Sequence, residues 1–223
     1  MFKLITFDIY SASLDINGSA VPVVQEVLGI PESRAREFFQ VWRAQQWNYL
    51  LLKNSIQDGF TNYYDITRGL LDYMEKRTGL AITGEQKDRL MRIWTTFSAW
   101  PEAKPILEEV KQRGYAIAML SNGDLDMLEP LQDSTGIRFD HIFSGDMAGC
   151  YKPSPGIYEL PYKKLNIRKE EMLHVAGSMF DVMGAKAAGC TCAWSNRHGD
   201  VLLNEAYAPD YELKNLSQLL DIL

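Results

Sequence analysis

Apolar positions fall into short unbroken runs near the start of the chain and through its second half, with spaced helical stripes between them. Phe2 to Phe7 has no helical period and carries β-favouring Ile, Thr and Phe, which predicts a strand buried on both faces that ends at Asp8. Tyr115 to Leu120 and Met172 to Ala176 repeat the pattern, and Phe139 to Phe143 and Thr191 to Trp194 are shorter versions of it. Amphipathic stretches separate these runs: Ala103 to Arg113, closing at Gly114; a helix opened by Pro155 and reaching Leu165; and Asp181 to Gly189. Asp124 is placed to cap a further helix. Strand and helix alternating in this way predict a parallel sheet with helices on both faces. The tail from Tyr207 to Leu223 is expected to add a short extended piece and a closing helix.

Ile16 to Trp100 follows a different rule, with helical stretches and no convincing strand. Pro31 can open a helix through Phe38, Phe39, Val41, Trp42 and Tyr49 to Asn54, broken at Asp58-Gly59. A second, from about Thr61, carries Tyr64, Leu70, Leu71 and Met74 and stops at Gly79, in the usual place for a left-handed cap. Thr83 followed by Gln86 is a capping-box pattern for a third helix through Leu90, Ile93, Trp94 and Phe97. The fold expected is α/β: a doubly wound parallel sheet built from residues 1–15 and 101–223, with an all-helical subdomain over residues 16–100 inserted after the first strand.

Composition narrows the function classes. The 223 residues are 46% hydrophobic and 23% charged, ordinary values for a chain with a sizeable core. A net charge of -6 argues against a nucleic-acid partner, which demands a basic face. No apolar run approaches the ~18 residues of a membrane span, and the N-terminus reads as a strand rather than a signal peptide, so a cytoplasmic location is expected. Cys150, Cys190 and Cys192 form no C-x-x-C pair; Cys190 and Cys192 flank Thr191 and should fill core. His141, His174 and His198 show no ligand spacing, so no structural zinc is expected.

The chemistry gathers at the strand ends. They supply Asp8, the Ser121-Asn122 pair, Lys152 and Asp181, and in a doubly wound sheet these ends lie along the one edge where ligands bind. Singly, each has a plain reading as a turn former, an exposed charge or a helix cap. Five such residues at four strand ends point instead to one active site.

With FDIY at Phe7 to Tyr10, WR at Trp42-Arg43, LSNG at Leu120 to Gly123, YKPSPGIY at Tyr151 to Tyr158, and FD at Phe180-Asp181 followed by GA at Gly184-Ala185, the sequence resembles the haloacid dehalogenase superfamily. Within it the similarity is to the type II L-2-haloacid dehalogenases, and it covers nearly the whole chain. The resemblance implies a Rossmann-like core under a helical cap, and a homodimer. Phosphatases of the superfamily read Asp-x-Asp in the first motif, because magnesium takes oxygen ligands. Here Tyr10 replaces the second Asp, and Asp181 is the only carboxylate of the last motif. No metal or cofactor is therefore expected.

The same resemblance implies a small 2-haloacid as substrate and a two-step hydrolysis. Asp8 displaces the halide to give an ester, and water then releases a 2-hydroxy acid. An aspartate, with an ordinary pKa of ~3.9, is ionised at neutral pH, and Lys152 would hold it so. Arg43 and Asn122 would stabilise the departing halide. Ser121 would hold the substrate carboxylate, Tyr10, Trp47 and Phe180 would wall the pocket, and Tyr158, which resembles the family's tyrosine near the lysine, is expected with Ser178 among the substrate-binding residues. Three positions depart from the pattern: Ala12 stands where a small hydroxyl residue is expected, and Ala176 and Ser178 stand for a serine and an asparagine that orient the nucleophile and the water. They make the second step the slower one by expectation. They also leave open a superfamily member that binds a small carboxylate with impaired turnover; a phosphatase requires Asp8 and Asp181 to suffice for magnesium.

Overall fold

The computed structural model describes residues 1–56 and 58–223. In chain order its elements are β1 (Leu4–Phe7), α1 (Ile16–Leu28), α2 (Glu32–Ile56), α3 (Tyr63–Thr78), α4 (Gly84–Arg92), α5 (Ala103–Gln112), β2 (Ala116–Leu120), α6 (Leu125–Leu128), α7 (Leu131–Thr135), β3 (His141–Phe143), α8 (Gly145–Ala148), α9 (Pro155–Leu165), β4 (Met172–Ala176), α10 (Met179–Ala187), β5 (Thr191–Ser195) and β6 (Tyr211–Leu213). A 3-10 segment, Leu216–Asp221, closes the chain.

The sheet has six strands in the order β3-β2-β1-β4-β5-β6, every pair parallel. The tail contributes the sixth strand, as the expected extended piece. The chain builds outward from β1 to β3, then crosses to β4 on the other side, so strand order reverses beside β1. Asp8 follows β1 at this switch point, where the ends of the strands open a crevice. Alternation along β1 sends Ile5 and Phe7 into the apolar layer with Leu107 and Val110 of α5, and Leu4 into the layer with Ile157 of α9 and Val182 of α10. Cys190 and Cys192 are buried in the latter layer, as expected.

After Asp8 a π-helical turn, Ile9–Ser13, carries the chain off the sheet. It returns next to its exit: Leu14 bridges Ala99, and Trp100 N–H donates to the Ser13 carbonyl at 3.0 Å. The helices α1 to α4 fill the interval. Their shared core is aromatic, with Phe39, Trp42, Tyr63, Trp94 and Phe97 all buried, and it continues into the sheet half through Met119, Leu128 and Tyr151. The capping box at Thr83 and Gln86 is present, and Gly79 ends α3 at φ 72°.

Details differ from the sequence reading. The buried face of α3 is Tyr63, Ile66, Thr67, Leu71 and Met74, whereas Tyr64 is exposed and Leu70 half-buried. The helix starts at Tyr63, after the Asn62 cap, and this start turns Tyr64 outward. The third helix stops at Arg92, a 3-10 turn carries Ile93 and Trp94, and Phe97 lies beyond it. Asp124 precedes α6 but its carboxylate makes no cap there; it accepts from the N–H groups of Tyr63 at 3.0 Å and Tyr64 at 2.8 Å, capping α3 instead. Among the described residues no helix is long and apolar enough to cross a membrane.

Candidate active site

One cavity of about 410 Å³ opens between the strand ends and α1 to α3. Asp8, Lys152 and Asp181 lie at its sheet end, with Ser121, Asn122 and Ser178 from neighbouring loops, while Arg43 and Trp47 enter from α2. Tyr10 and Phe180 also line it. Of the residues singled out in the sequence, Tyr158 alone is off the wall. It is fully buried behind Asp181, and its hydroxyl donates to Asp181 Oδ1 at 2.8 Å. Its contact is with an acid of the site, and the expected contact with substrate is replaced by a supporting one.

Lys152 is 2% exposed and sits between the carboxylates, its Nζ 3.3 Å from Asp8 Oδ1 and 3.0 Å from Asp181 Oδ2. Burial opposes the charge on Lys152, but Asp181 and Asp8 more than offset it and keep its pKa above the ordinary lysine value. Burial likewise opposes ionisation of Asp181, yet Lys152 and then His174 hold it well below the usual carboxylate range. The two acids are unequally supplied. Asp181 takes hydrogen bonds from Tyr158, Lys152 and His174, whereas among the described residues Lys152 is the one side-chain donor to the Asp8 carboxylate. Asp8 is thus the acid with more of its oxygen lone pairs left for a ligand.

The loops that place these groups are fixed by their own backbones. Asn122 Oδ1 accepts from Lys152 N–H at 2.7 Å, which ties the lysine loop to the end of β2 and leaves the Nδ2 hydrogens for a ligand. Ser121 Oγ accepts from Gly123 N–H at 3.2 Å. Ser178 is the N-cap of α10, accepting from Asp181 N–H at 3.4 Å, so Asp181 lies in the first helical turn rather than at the cap. Gly177 packs so tightly that a Cβ there would collide with the backbone nitrogen of Ala12 and the Cβ of Ser11, in the turn after Asp8.

Arg43 is held over the cavity from α2. Its Nη1 donates to Gln46 Oε1 at 2.5 Å and to Tyr63 Oη at 3.3 Å, and its guanidinium lies 5.5 Å from the Trp94 ring centroid. Gln46 is fully buried and also donates to Thr67 Oγ1. Trp47 packs on Phe180 with centroids 5.6 Å apart, joining the helical insert to α10 across the mouth. Tyr10 stacks on Tyr63 at 5.9 Å.

Tyr63, Gln46 and His174 were missed in the sequence. Gln46 is a polar residue on the apolar stripe Phe39, Trp42, Gln46, Leu50, one turn from Arg43, and that stripe was a usable signal. His174, in the middle of an apolar run, also invited the question of its partner. Among the described residues no group of three His, Cys, Asp or Glu is arranged to hold a metal ion.

A family model described as haloacid dehalogenase-like hydrolase matches residues 2–189. An (S)-2-haloacid dehalogenase of Pseudomonas sp. (strain YL) is 29% identical over 99% of this chain and 94% of its own length. Haloacetate dehalogenase H-2 of Moraxella sp. (strain B) is 26% identical over 99% and 97%. A crystal structure of an L-2-haloacid dehalogenase superposes with a TM-score of 0.92 at 26% identity, covering 99% of this chain and 98% of that one. The Xanthobacter autotrophicus L-2-haloacid dehalogenase with chloropropionic acid covalently bound gives 0.86 at 25% identity, over 100% and 98%.

Proposed function

Since the chain belongs to the haloacid dehalogenase-like hydrolase family, we propose that it hydrolyses short 2-haloacids to 2-hydroxy acids through an ester on Asp8, without a metal ion. The observation that carries this reading is the contrast between the two acids around Lys152. Asp181 already accepts from three donors, and Asp8 faces the cavity with Lys152 as its one side-chain donor among the described residues and a guanidinium on the opposite wall.

In the first step an Asp8 carboxylate oxygen attacks C2 of the substrate, and the carbon–halogen bond breaks with its electron pair on the halide. A halide leaves unprotonated, so it needs donors rather than an acid; Arg43 and the Asn122 amide supply them. The hydroxyl of Ser121 holds the substrate carboxylate. Trp47, Phe180 and Tyr10 make the apolar wall, and residues 16–100 act as a cap over a core of residues 1–15 and 101–223. In the second step water adds to Asp8 Cγ and the bond from Cγ to the substrate oxygen breaks. Asp181 takes one water proton and returns it to the departing alkoxide, with Lys152 stabilising the oxyanion and Ser178 framing the water. The second proton is lost as Asp8 ionises again. Halide and proton thus leave in different half-reactions.

The test is halide release from chloro-, bromo- and fluoroacetate and both 2-chloropropionate enantiomers, with and without EDTA. Release unaffected by EDTA is expected, with an early burst close to one equivalent per site and an Asp8 ester visible by intact mass, because Ala176 and Ser178 leave the water less constrained. Misplaced water can slow such a step about 100-fold. No release from any substrate, or release abolished by EDTA and restored by magnesium, overturns the reading.

A further inference from the structure

His174 has no part in the steps above, yet it is fully buried beside them. It pairs in register with Thr6 of β1, so both side chains leave the sheet on the same face, toward α10. The imidazole Nε2 lies 3.0 Å from Asp181 Oδ2, and Nδ1 lies 2.9 Å from Thr6 Oγ1. An ionised carboxylate only accepts hydrogen bonds, so Nε2 carries the hydrogen and donates it, while Nδ1 is hydrogen-bonded to the Thr6 hydroxyl. The carboxylate thus sets the hydrogen on Nε2, and the threonine at the other nitrogen fixes the ring plane.

The surroundings make this arrangement costly without a use. The same sheet face is built from Leu4, Ala118, Leu120, Met172 and Cys192, where an apolar side chain avoids the desolvation of an imidazole. Asp181 needs the contact. Tyr158 holds Oδ1 at 2.8 Å, while Oδ2 is shared by Lys152 and His174, both at 3.0 Å. Lys152 must also reach Asp8, at the longer distance of 3.3 Å. With His174 removed, Oδ2 would depend on the lysine alone, and the ammonium would be drawn away from Asp8 toward the more deeply buried acid.

We propose that His174, locked by Thr6, is a positioning residue for ester hydrolysis: it holds the Asp181 carboxylate in place for the attacking water and leaves Lys152 shared between the two acids. The proposal rests on the dehalogenase reading of the site. The first half-reaction uses Asp8, Arg43 and Asn122, none of which touches His174, so its loss acts mainly on the second.

Rapid-quench measurements with 2-chloropropionate separate the half-reactions in His174→Phe, His174→Gln and Thr6→Val, with melting temperatures recorded alongside. In His174→Phe the halide burst is expected to keep its rate within about twofold, while decay of the Asp8 ester slows about tenfold or more. The glutamine amide nitrogen reaches the Nε2 position, so His174→Gln should regain most of that loss; Thr6→Val should fall between. Ester decay unchanged in His174→Phe overturns the proposal. So does equal slowing of both half-reactions in the Phe and Gln variants, in proportion to a lowered melting temperature, which marks a purely structural residue. A parent protein that forms no ester and releases no halide removes the dehalogenase reading itself, and this role with it.

Discussion

Asp8 and Asp181 are the same residue type within reach of the same lysine, and their surroundings assign them different work. Three donors hold Asp181, whereas Asp8 shares Lys152 and otherwise faces the cavity. Asp8→Asn should therefore retain the fold, with a melting temperature close to the parent's, and lose halide release, because an amide is a far weaker nucleophile. Arg43→Ala should slow the halide burst about 100-fold, equivalent to ~3 kcal/mol, with little effect on stability. A large fall in melting temperature with an unchanged burst would make Arg43 a packing residue. Gln46→Leu keeps the packing but removes an acceptor that aims Arg43, and should slow the same phase by a smaller factor. At this scale the sequence exposed the groups that sit at strand ends. It concealed Gln46 and His174, whose partners Thr67 and Thr6 lie far along the chain and become neighbours only through helix packing and strand register.

Elements were legible where one local rule decided them. Runs buried on both faces gave the strands, and Thr83 with Gln86 and Gly79 with its positive φ gave helix ends. The helix α1 was not singled out, because Gly18 and Pro22 interrupt a stretch whose Val-Pro-Val-Val is poor helix chemistry; burial of Ala20, Val21, Val24 and Val27 overrides that propensity. Asp124 shows where local reasoning stops. Its carboxylate spans from the loop after β2 to the first turn of α3, near Tyr63 and the residues that orient Arg43. Asp124→Ala should lower stability by about 1 kcal/mol, as loss of a helix cap does, read as a lower midpoint in urea. It should also slow the halide burst, since Tyr63 packs beside Arg43. An unchanged midpoint would show that Asn62 alone suffices as the cap.

For the whole molecule, acid pH probes how the sheet is stitched together. Glu171, ahead of β4, is held down to about 2 by Lys3 and by the backbone and side chain of Arg168. A depressed carboxylate stabilises the fold above its unfolded pKa of ~4.3 and loses that contribution as pH falls through the folded value. The melting temperature should therefore drop between about pH 4.3 and pH 2, and less steeply in Glu171→Gln; parallel curves would reject this assignment. Asp181 is depressed in the same direction and adds to the loss at the acid end. The general architecture was readable because strand and helix alternate so regularly; the meeting of distant loops was not, since no local pattern encodes it. Gly177 is such a meeting, pressed against Ser11 and Ala12 of the nucleophile's turn. The two segments consequently have to be exchanged with that contact in mind. A chimera that keeps this first strand and turn and takes the remainder from another dehalogenase should assemble a working site only when position 177 brings no Cβ against that turn.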